Sequence, residues 1–482
     1  MATRAHAQLN SRADRGFFGH PRGLATLFMT ELWERFSYYG MRALLILFMT
    51  APPQAGGLGF DVARAGAIYG LYTAMVYLLS LPGGWVADRW LGQRRAVLCG
   101  GIVIAVGNFC LAIPSLAAFY SGLMLVACGT GLLKPNVSVM VGQLYDLADS
   151  RRDAGFSIFY MGINLGAFLA PLACGYLGQR VNWHLGFALA GFGMLLGLTQ
   201  YVAGAQHLGK AGLPPSRHDH HGASHKAVTK WLALICVAFG GLALAHAAGL
   251  IRLTAQALSD ALGILLAFVV VGFFVWALFL GEWNREERRR LVVVGVLFLA
   301  SAAFWGVFEQ AGSTLNLFAE RNTDKTILGF SFPASWLQSL NALFIVALAP
   351  VFAWLWMRLG RREPSSPAKF AWGLTAAGLG FIVLAAGASV AEQGVRISPL
   401  WLVTVYLLHT AGELCLSPVG LSAMTKLAPA RIGGLVMGVW FLSISVGNYI
   451  GGRIAALYEA LPLPTLFGVV GATAVGAGIV MA

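Results

Sequence analysis

The chain has 482 residues, of which 58% are hydrophobic and only 11% are charged. Soluble domains usually carry about 25% charged residues, so a soluble protein of this length could not cover its surface with polar side chains. The formal net charge is +13. The basic residues lie mainly between apolar stretches, where they set membrane orientation, and this argues against a nucleic-acid partner.

Apolar stretches of about 20 residues recur along the chain, and that is the length an α-helix needs to cross a bilayer. Their unbroken apolar character excludes a β-barrel, whose strands alternate between apolar and polar residues. We therefore predict an all-α membrane protein with about 14 transmembrane helices embedded in a lipid bilayer. The predicted spans are 24–50, 66–87, 96–115, 118–145, 154–178, 184–204, 230–250, 257–281, 291–319, 333–357, 370–390, 399–425, 432–457 and 463–482.

The basic residues predict how these spans are oriented. If the N-terminus lies in the cytoplasm, the cytoplasmic segments hold 23 Lys and Arg residues and the opposite segments hold six. Because cytoplasmic loops carry the excess of basic residues, both termini are predicted to be cytoplasmic.

The spans divide into six, an inserted pair and six more. We predict an N-terminal six-helix bundle at 1–204, a linker with two inserted transmembrane helices at 205–290, and a C-terminal six-helix bundle at 291–482. The polar segment 205–229 holds five histidines and is interpreted as a solvated linker, not as a metal site. The six cysteines show no CxxC spacing, so we expect inert buried thiols and no bound metal.

Eight ionisable residues lie within the predicted spans, four acidic and four basic. They are Glu31, Glu34, Arg35, Arg42, Lys134, Glu309, Glu413 and Arg453. A charged side chain costs about 2.5–3.5 kcal/mol at the centre of a bilayer, so these residues are expected to pair with one another around a polar interior. Arg453 lies near the end of its span, and its side chain is expected to reach the membrane surface instead.

The first span concentrates these charges. Glu34, Arg35, Tyr38 and Arg42 follow Glu31 at spacings of three, four, seven and eleven residues. These spacings place the five residues on one face of a helix, where Glu31 and Arg35 form a favourable i,i+4 pair. Such a face predicts either a structural network of ion pairs or the wall of an internal cavity, and we favour the cavity.

The loop between the second and third spans carries a recognisable motif. It reads Gly84-Trp-Val-Ala-Asp88-Arg89-Trp-Leu-Gly92-Gln-Arg94-Arg95. This sequence resembles the GxxxDRxGRR loop of the major facilitator superfamily, with one residue inserted before Gly92. The resemblance implies a fold of two six-helix bundles and says nothing about the substrate.

Three further motifs resemble one family of that superfamily, the proton-dependent oligopeptide transporters. The matching segments are Glu31–Gly40 (ExxERFxYYG), Gly129–Asn136 (GxGxxKPN) and Phe159–Gly166 (FYxxINxG). Shorter segments around Glu309, Glu413 and Trp440 also match, and the inserted helix pair is typical of bacterial members. One departure is Phe308, where some members have a second glutamate.

The resemblance implies a carrier that imports di- and tripeptides together with protons, by alternating access, across a bacterial inner membrane. A short peptide is a zwitterion, so Arg35 and Lys134 are implied to bind its carboxylate and Glu413 its ammonium. The other implied substrate-binding residues are Tyr38, Tyr39, Tyr77, Asn164, Trp305, Asn341, Ser417 and Trp440. No cofactor is implied beyond the proton gradient, and a monomer is expected.

Proton coupling and gating are implied to involve buried charges from both bundles. The residues concerned are Glu31, Glu34, Arg42, Lys134, Glu309 and Glu413. We expect Arg42 to pair with Glu309 on the outer side and Lys134 to pair with Glu413 between the bundles. Without a second glutamate beside it, Glu309 is expected to carry more of the coupling.

Two alternative functions stay open at this point. On the same fold, Arg35 and Lys134 could serve a proton-coupled carrier of nitrate or another small anion, although the neighbouring acids would repel an anion. A membrane-embedded enzyme is disfavoured, because the spans contain no HExxH, GxSxG or paired-aspartate element.

Overall fold

The computed structural model describes residues 16–146, 149–214, 248–249, 254–327 and 329–482. Within these ranges, twelve helices are long and apolar enough to cross a membrane. A further helix, Arg22–Thr50, has 29 residues and carries the charged face predicted for the first span. The predicted all-α membrane architecture is therefore confirmed, while the predicted span 230–250 lies outside the described residues except at 248–249.

We number the helices and strands in chain order. The helices are α1 Arg22–Thr50, α2 Val62–Leu91, α3 Gln93–Leu111, α4 Leu116–Gln143, α5 Arg152–Val181, α6 Trp183–Leu208, α7 Ala255–Leu280, α8 Arg285–Asn322, α9 Ala334–Leu359, α10 Ser366–Ala391, α11 Leu400–Leu427, α12 Gly433–Ala455 and α13 Leu463–Met481. A short antiparallel hairpin, β1 Thr326–Ile327 and β2 Phe330–Ser331, lies between α8 and α9.

The long helices pack in two groups. In the first group α1 packs against α5 and α6, and α3 packs against α4 and α6. In the second group α10 packs against α11 and α13, and α8 packs against α12. The two groups meet where α2 packs against α12 and where α5 packs against α9. We call these groups the two bundles, and their predicted limits at 204 and 290 stay predictions.

The bundles touch most closely at one end of the molecule. We call it the outer end, following the predicted orientation, and it carries the start of α2, the β hairpin and the start of α9. A Cβ atom placed on Gly70 of α2 would lie 2.7 Å from the Cα atom of Gly452 of α12, so the two backbones are in contact. Beside them, the Asn316 amide donates to the Ala43 carbonyl at 2.9 Å. The outer end is therefore closed.

The inserted helix α7 lies against both bundles, because it packs on α2 and on α12. One face, with Ser259, Leu262 and Leu266, is buried, while most of the helix is exposed. Arg453 of α12 forms an ion pair with Asp260 of α7 at 2.6 Å. The side chains of Arg453 and Asp260 are 41% and 52% exposed, so the expectation that Arg453 reaches the membrane surface stays a prediction, and Asp260 is a partner that the sequence did not indicate.

The first part of the predicted solvated linker is docked on the first bundle. Leu208 and Ala211 are buried. The guanidinium of Arg94 donates to the carbonyl oxygens of Ala211 and Gly209 at 2.6 and 2.7 Å. These two hydrogen bonds and the two buried side chains show that the prediction of a solvated linker is wrong for this part. Four of the five histidines lie outside the described residues.

The described cysteines carry no disulfide, but their environments differ. Cys174 and Cys415 are buried as expected, whereas Cys99 of α3 and Cys128 of α4 are exposed. The expectation of burial fails for these two because membrane helices also expose apolar faces to lipid. The described ranges contain no group of three or more His, Cys, Asp or Glu side chains that could share a metal ion.

The contact between α2 and α12 leads to a first prediction. Gly452→Val introduces a branched side chain where the two backbones touch. Overpacking of this kind costs about 1–3 kcal/mol, which changes the equilibrium constant between two conformations by about fivefold or more. We expect the outer ends of α2 and α12 to separate, which spin labels on both helices would report as a longer distance. The control is Gly468→Val, since a Cβ at Gly468 meets no atom within 4 Å. Identical distance distributions for both variants and the parent would contradict this prediction.

Candidate functional site

Helix α1 carries a buried ion cluster. The Arg35 Nε atom lies 3.0 Å from Glu31 Oε1 and 2.5 Å from Glu34 Oε2, and none of the three side chains is more than 4% exposed. The guanidinium also lies 5.5 Å from the centre of the Tyr38 ring. Arg35 Nη2 is buried and has no hydrogen-bond partner among the described residues. One donor of the cluster is therefore available to a ligand.

Helix α5 approaches α1 closely beside this cluster. A Cβ atom on Gly166 would lie 2.9 Å from the Cβ of Arg35, and one on Gly162 would lie 2.9 Å from the Phe28 ring. Both glycines belong to the FYxxINxG segment. The motif therefore works partly by sterics, because larger residues would push α5 away from the charged face of α1.

The second pair joins the two bundles. Arg42 Nη2 lies 2.5 Å from Glu309 Oε2 and also donates to the Glu309 carbonyl at 3.1 Å. Arg42 Nε donates to the Tyr69 hydroxyl at 2.7 Å. The carbonyl is accessible because α8 breaks into a short turn at Glu309–Gly312 before it resumes at Thr314. The predicted contact between Arg42 and Glu309 is thus present near the outer end, and its role in gating stays a prediction.

Lys134 lies on α4 beside α2. Its Nζ atom is 3.8 Å from the centre of the Tyr77 ring, a distance suited to a cation–π contact. Lys134 interacts electrostatically with Arg35, Glu34, Glu31 and Glu309. The predicted ion pair with Glu413 is not formed, because among the described residues Lys134 has no acidic oxygen within 4 Å. Its ammonium is placed against the Tyr77 ring instead.

Glu413 is held by the second bundle. The Asn341 amide of α9 donates to Glu413 Oε2 at 3.1 Å and to the Thr410 hydroxyl at 3.1 Å. Glu413 interacts electrostatically with Glu309. Ser417, one turn further along α11, is half-buried. The bond from Asn341 fixes the carboxylate in position, and no described Lys or Arg forms an ion pair with it.

The remaining predicted residues differ in their surroundings. The Trp305 Nε1–H group is buried and has no hydrogen-bond partner among the described residues. Asn164 donates to the Tyr160 carbonyl within its own helix at 2.9 Å. The Trp440 ring packs against Gly420 and lies 6.4 Å from Phe370, so it is part of the packing of the second bundle. Substrate contacts of these three residues stay predictions.

Tyr39 connects the two sides of the cluster. It interacts electrostatically with Arg35 and Arg42 of its own helix and with Glu309 and Glu413 of the second bundle. Its ring lies 5.8 Å from the Arg42 guanidinium. Acids and bases that are far apart in sequence are therefore neighbours in one cluster, in which Lys134 and Glu413 are partly exposed and the other charged residues are buried. Such a cluster can bind a ligand that carries both charges.

Three polar residues of this cluster were not among the predicted site residues. Tyr69 binds Arg42, Thr410 binds Asn341, and Tyr160 interacts electrostatically with Glu413. The helical spacing could have indicated Tyr69, because Tyr69 precedes the predicted residue Tyr77 by eight residues and lies on the same side of α2. Tyr160 lies within the FYxxINxG segment.

Comparisons with known proteins agree with this architecture. Residues 94–469 match the model of the POT family. Peptide transporter YePEPT of Yersinia enterocolitica is 43% identical over 95% of this chain and 92% of that protein. A di-/tripeptide transporter of Lactococcus lactis is 40% identical over 98% of this chain and 96% of that protein.

Solved structures show the same fold. A crystal structure of a peptide transporter POT in complex with sulfate has a TM-score of 0.92 and 44% identity, covering 98% of this chain and 96% of that chain. A POT family transporter in complex with a thioalcohol-conjugated peptide has a TM-score of 0.91 and 35% identity, with 98% and 97% covered. The predicted major facilitator fold is confirmed by these similarities.

The pair that joins the bundles leads to a second prediction. Arg42→Met leaves the Glu309 carboxylate buried without its partner, which costs about 3–5 kcal/mol for a buried pair. We expect the double variant Arg42→Met, Glu309→Gln to recover much of that stability, since it removes the unpaired charge. Thermal unfolding of the purified variants in detergent measures the difference. A double variant no more stable than Arg42→Met alone would contradict this view of the pair.

Proposed function

The chain belongs to the POT family, and from this membership and the buried cluster we propose that it imports di- and tripeptides by proton-coupled symport. The mechanism is alternating access, in which one central site opens first to the outer side and then to the cytoplasm. The observation that carries the proposal is the meeting of acids and bases from both bundles in one buried cluster.

The cluster suits the chemistry of a short peptide. Every dipeptide has a carboxylate and an ammonium at a nearly fixed separation, while its side chains vary. Arg35 offers an unpaired Nη2 donor and Lys134 an ammonium without an acidic partner among the described residues, and both suit the carboxylate. Glu413 forms no ion pair within the part of the chain that the structure describes, and it suits the peptide ammonium. The site therefore recognises the ammonium and the carboxylate of the peptide and accepts many different peptide side chains.

Proton coupling follows from the pair between the bundles. The bond from Arg42 to Glu309 holds the outer end closed, and protonation of Glu309 removes the charge that maintains it. A proton taken up from outside would thus release the outer contact, and peptide binding at Arg35, Lys134 and Glu413 would draw the bundles together around the substrate. Glu31 and Glu34 are further proton acceptors in this scheme.

An anion carrier is the less favoured alternative. The cluster contains Glu31, Glu34, Glu309 and Glu413 beside its basic residues, and these carboxylates oppose the entry of nitrate. The relatives described above are named as carriers of peptides, and this also supports the peptide proposal.

The setting of the protein is part of the same proposal. We place it in a bacterial inner membrane as a multi-pass monomer with both termini in the cytoplasm, because the basic residues cluster in the corresponding segments. Its energy source is the proton gradient. The proposal includes no cofactor and no enzymatic reaction.

Uptake by the purified full chain in liposomes tests the function. We expect an inward proton gradient to drive accumulation of labelled dialanine, and excess unlabelled dipeptide to block it. Collapse of the gradient with a protonophore is the control for coupling. Nitrate that competes with dialanine, or uptake indifferent to the gradient, would overturn the proposal.

The coupling role of Glu309 has its own test. Glu309→Gln retains the shape of the side chain but cannot release a proton, so gradient-driven accumulation of dialanine should be lost. Exchange of labelled for unlabelled dialanine across the membrane should continue, because it needs no net proton movement. The initial rates of gradient-driven accumulation and of exchange, both measured in liposomes, show whether Glu309→Gln affects one process and not the other.

The matched control is Glu286→Gln in the same helix. Glu286 forms an exposed pair with Arg290 at the opposite end of α8 and lies outside the buried cluster. This variant is expected to accumulate dialanine as the parent does. Uphill accumulation by Glu309→Gln would remove Glu309 from the coupling scheme.

A further inference from the structure

A cavity of about 820 Å³ lies at the outer end, away from the buried cluster. Its walls come from α5 of the first bundle and from the β hairpin, α9 and α11 of the second bundle. We call it the outer slot. The lining residues used below are Phe168, Leu172, Leu340, Val403, Asp324 and Arg396.

The depth of the outer slot corresponds to one leaflet of a bilayer. Asp324 and Arg396 lie in loops at its outer rim, whereas Phe168 lies 13 residues before the end of α5. At 1.5 Å per residue this is about 20 Å along the helix. Half of a hydrocarbon core of about 30 Å is about 15 Å. The slot therefore extends from the headgroup level towards the middle of the membrane.

The outer slot is apolar and its surroundings are exposed. Phenylalanine, leucine and valine side chains form most of its deeper lining. At its rim, Phe330 is 59% exposed and Leu400 is 68% exposed. Exposed apolar groups of this size around an apolar cavity mark a membrane or protein contact. Helix α9, which forms one wall, is the least buried of the apolar spans found among the described residues, and we therefore take the slot to face lipid.

The rim carries one charge of each sign. The backbone N–H of Asp324 donates to the Ile397 carbonyl at 2.8 Å, which holds Asp324 next to Arg396. Arg396 forms no ion pair with any described residue, and Asp324 accepts only a backbone N–H from Thr326 at 3.0 Å. An acid and a base side by side at headgroup level complement a lipid that carries both a phosphate and an ammonium.

We propose that the outer slot binds an acyl chain of an outer-leaflet phosphatidylethanolamine, with the phosphate at Arg396 and the ammonium at Asp324. The depth of the slot, its apolar lining and the two opposite charges at its rim all fit this lipid. A fully anionic lipid would meet repulsion from Asp324.

The lipid would lie against the contact between the bundles. The indole N–H of Trp336 donates to the Leu172 carbonyl at 3.0 Å, and the Ser339 hydroxyl donates to the Phe168 carbonyl at 2.7 Å. Both bonds run from α9 to α5, and both acceptor residues line the slot. An acyl chain packed there braces the two bonds and favours the closed outer end.

Photo-crosslinking tests the site. Phosphatidylethanolamine with a diazirine on its acyl chain is incorporated into liposomes with the full chain, and labelled peptides are identified by mass spectrometry. We expect labelling of the segments around Phe168 and Leu340. Leu340→Trp fills the slot and should abolish this labelling. Leu343→Trp is the matched control, because Leu343 is 45% exposed on the same helix and does not line the slot.

Headgroup recognition is tested separately. Arg396→Ala should lose the labelling, and Arg396→Lys should restore most of it by returning a cation. A phosphatidylglycerol probe should label less than the phosphatidylethanolamine probe. Equal labelling by both probes would overturn the headgroup assignment.

Two results would overturn the slot itself. One is labelling by the phosphatidylethanolamine probe that is unaffected by Leu340→Trp. The other is displacement of the probe by dialanine, which would make the occupant a peptide. Labelling needs no transport, so failure of the lipid site and failure of the proposed transport function are distinguishable.

Discussion

The structure depends on keeping charged side chains inside a membrane-spanning bundle. Each isolated charge would cost at least about 2.5–3.5 kcal/mol in hydrocarbon. Arg35 meets this constraint with Glu31 and Glu34 on its own helix, whereas Arg42 needs Glu309 from the other bundle. The first solution is local and survives any movement of the bundles. The second joins the two bundles, so the cost of separating these two charges stabilises the closed outer end.

The closed outer end combines this ion pair with steric contact. Glycines at the crossing of α2 and α12 let the backbones touch, and hydrogen bonds from α9 to α5 hold the opposite side of the interface. Helix α7 adds a third contact through Asp260 and Arg453. Neither the glycine contact nor these hydrogen bonds involves a charged side chain, so the charges among these contacts lie in the Arg42–Glu309 and Asp260–Arg453 pairs.

The sequence predicted the parts of the site that follow from periodicity along one helix. Spacing alone placed Glu31, Arg35 and Arg42 on one face of α1, and the family motifs pointed to Glu309 as the partner of Arg42. The position of Lys134 could not be read in this way, because it depends on how α4 packs beside Tyr77. The Asp260 pair was missed for a similar reason, since it joins an inserted helix to a distant one.

Lys134 and Glu413, which form no ion pair with any residue that the structure describes, belong to different bundles. Lys134 is held by an aromatic ring in the first bundle, and Glu413 is held by an amide in the second. A direct bond between them would neutralise both and would compete with a ligand. Kept apart, they present opposite charges to a molecule that itself carries both. A zwitterion can therefore supply the electrostatic link between the bundles that the protein leaves unmade in this conformation.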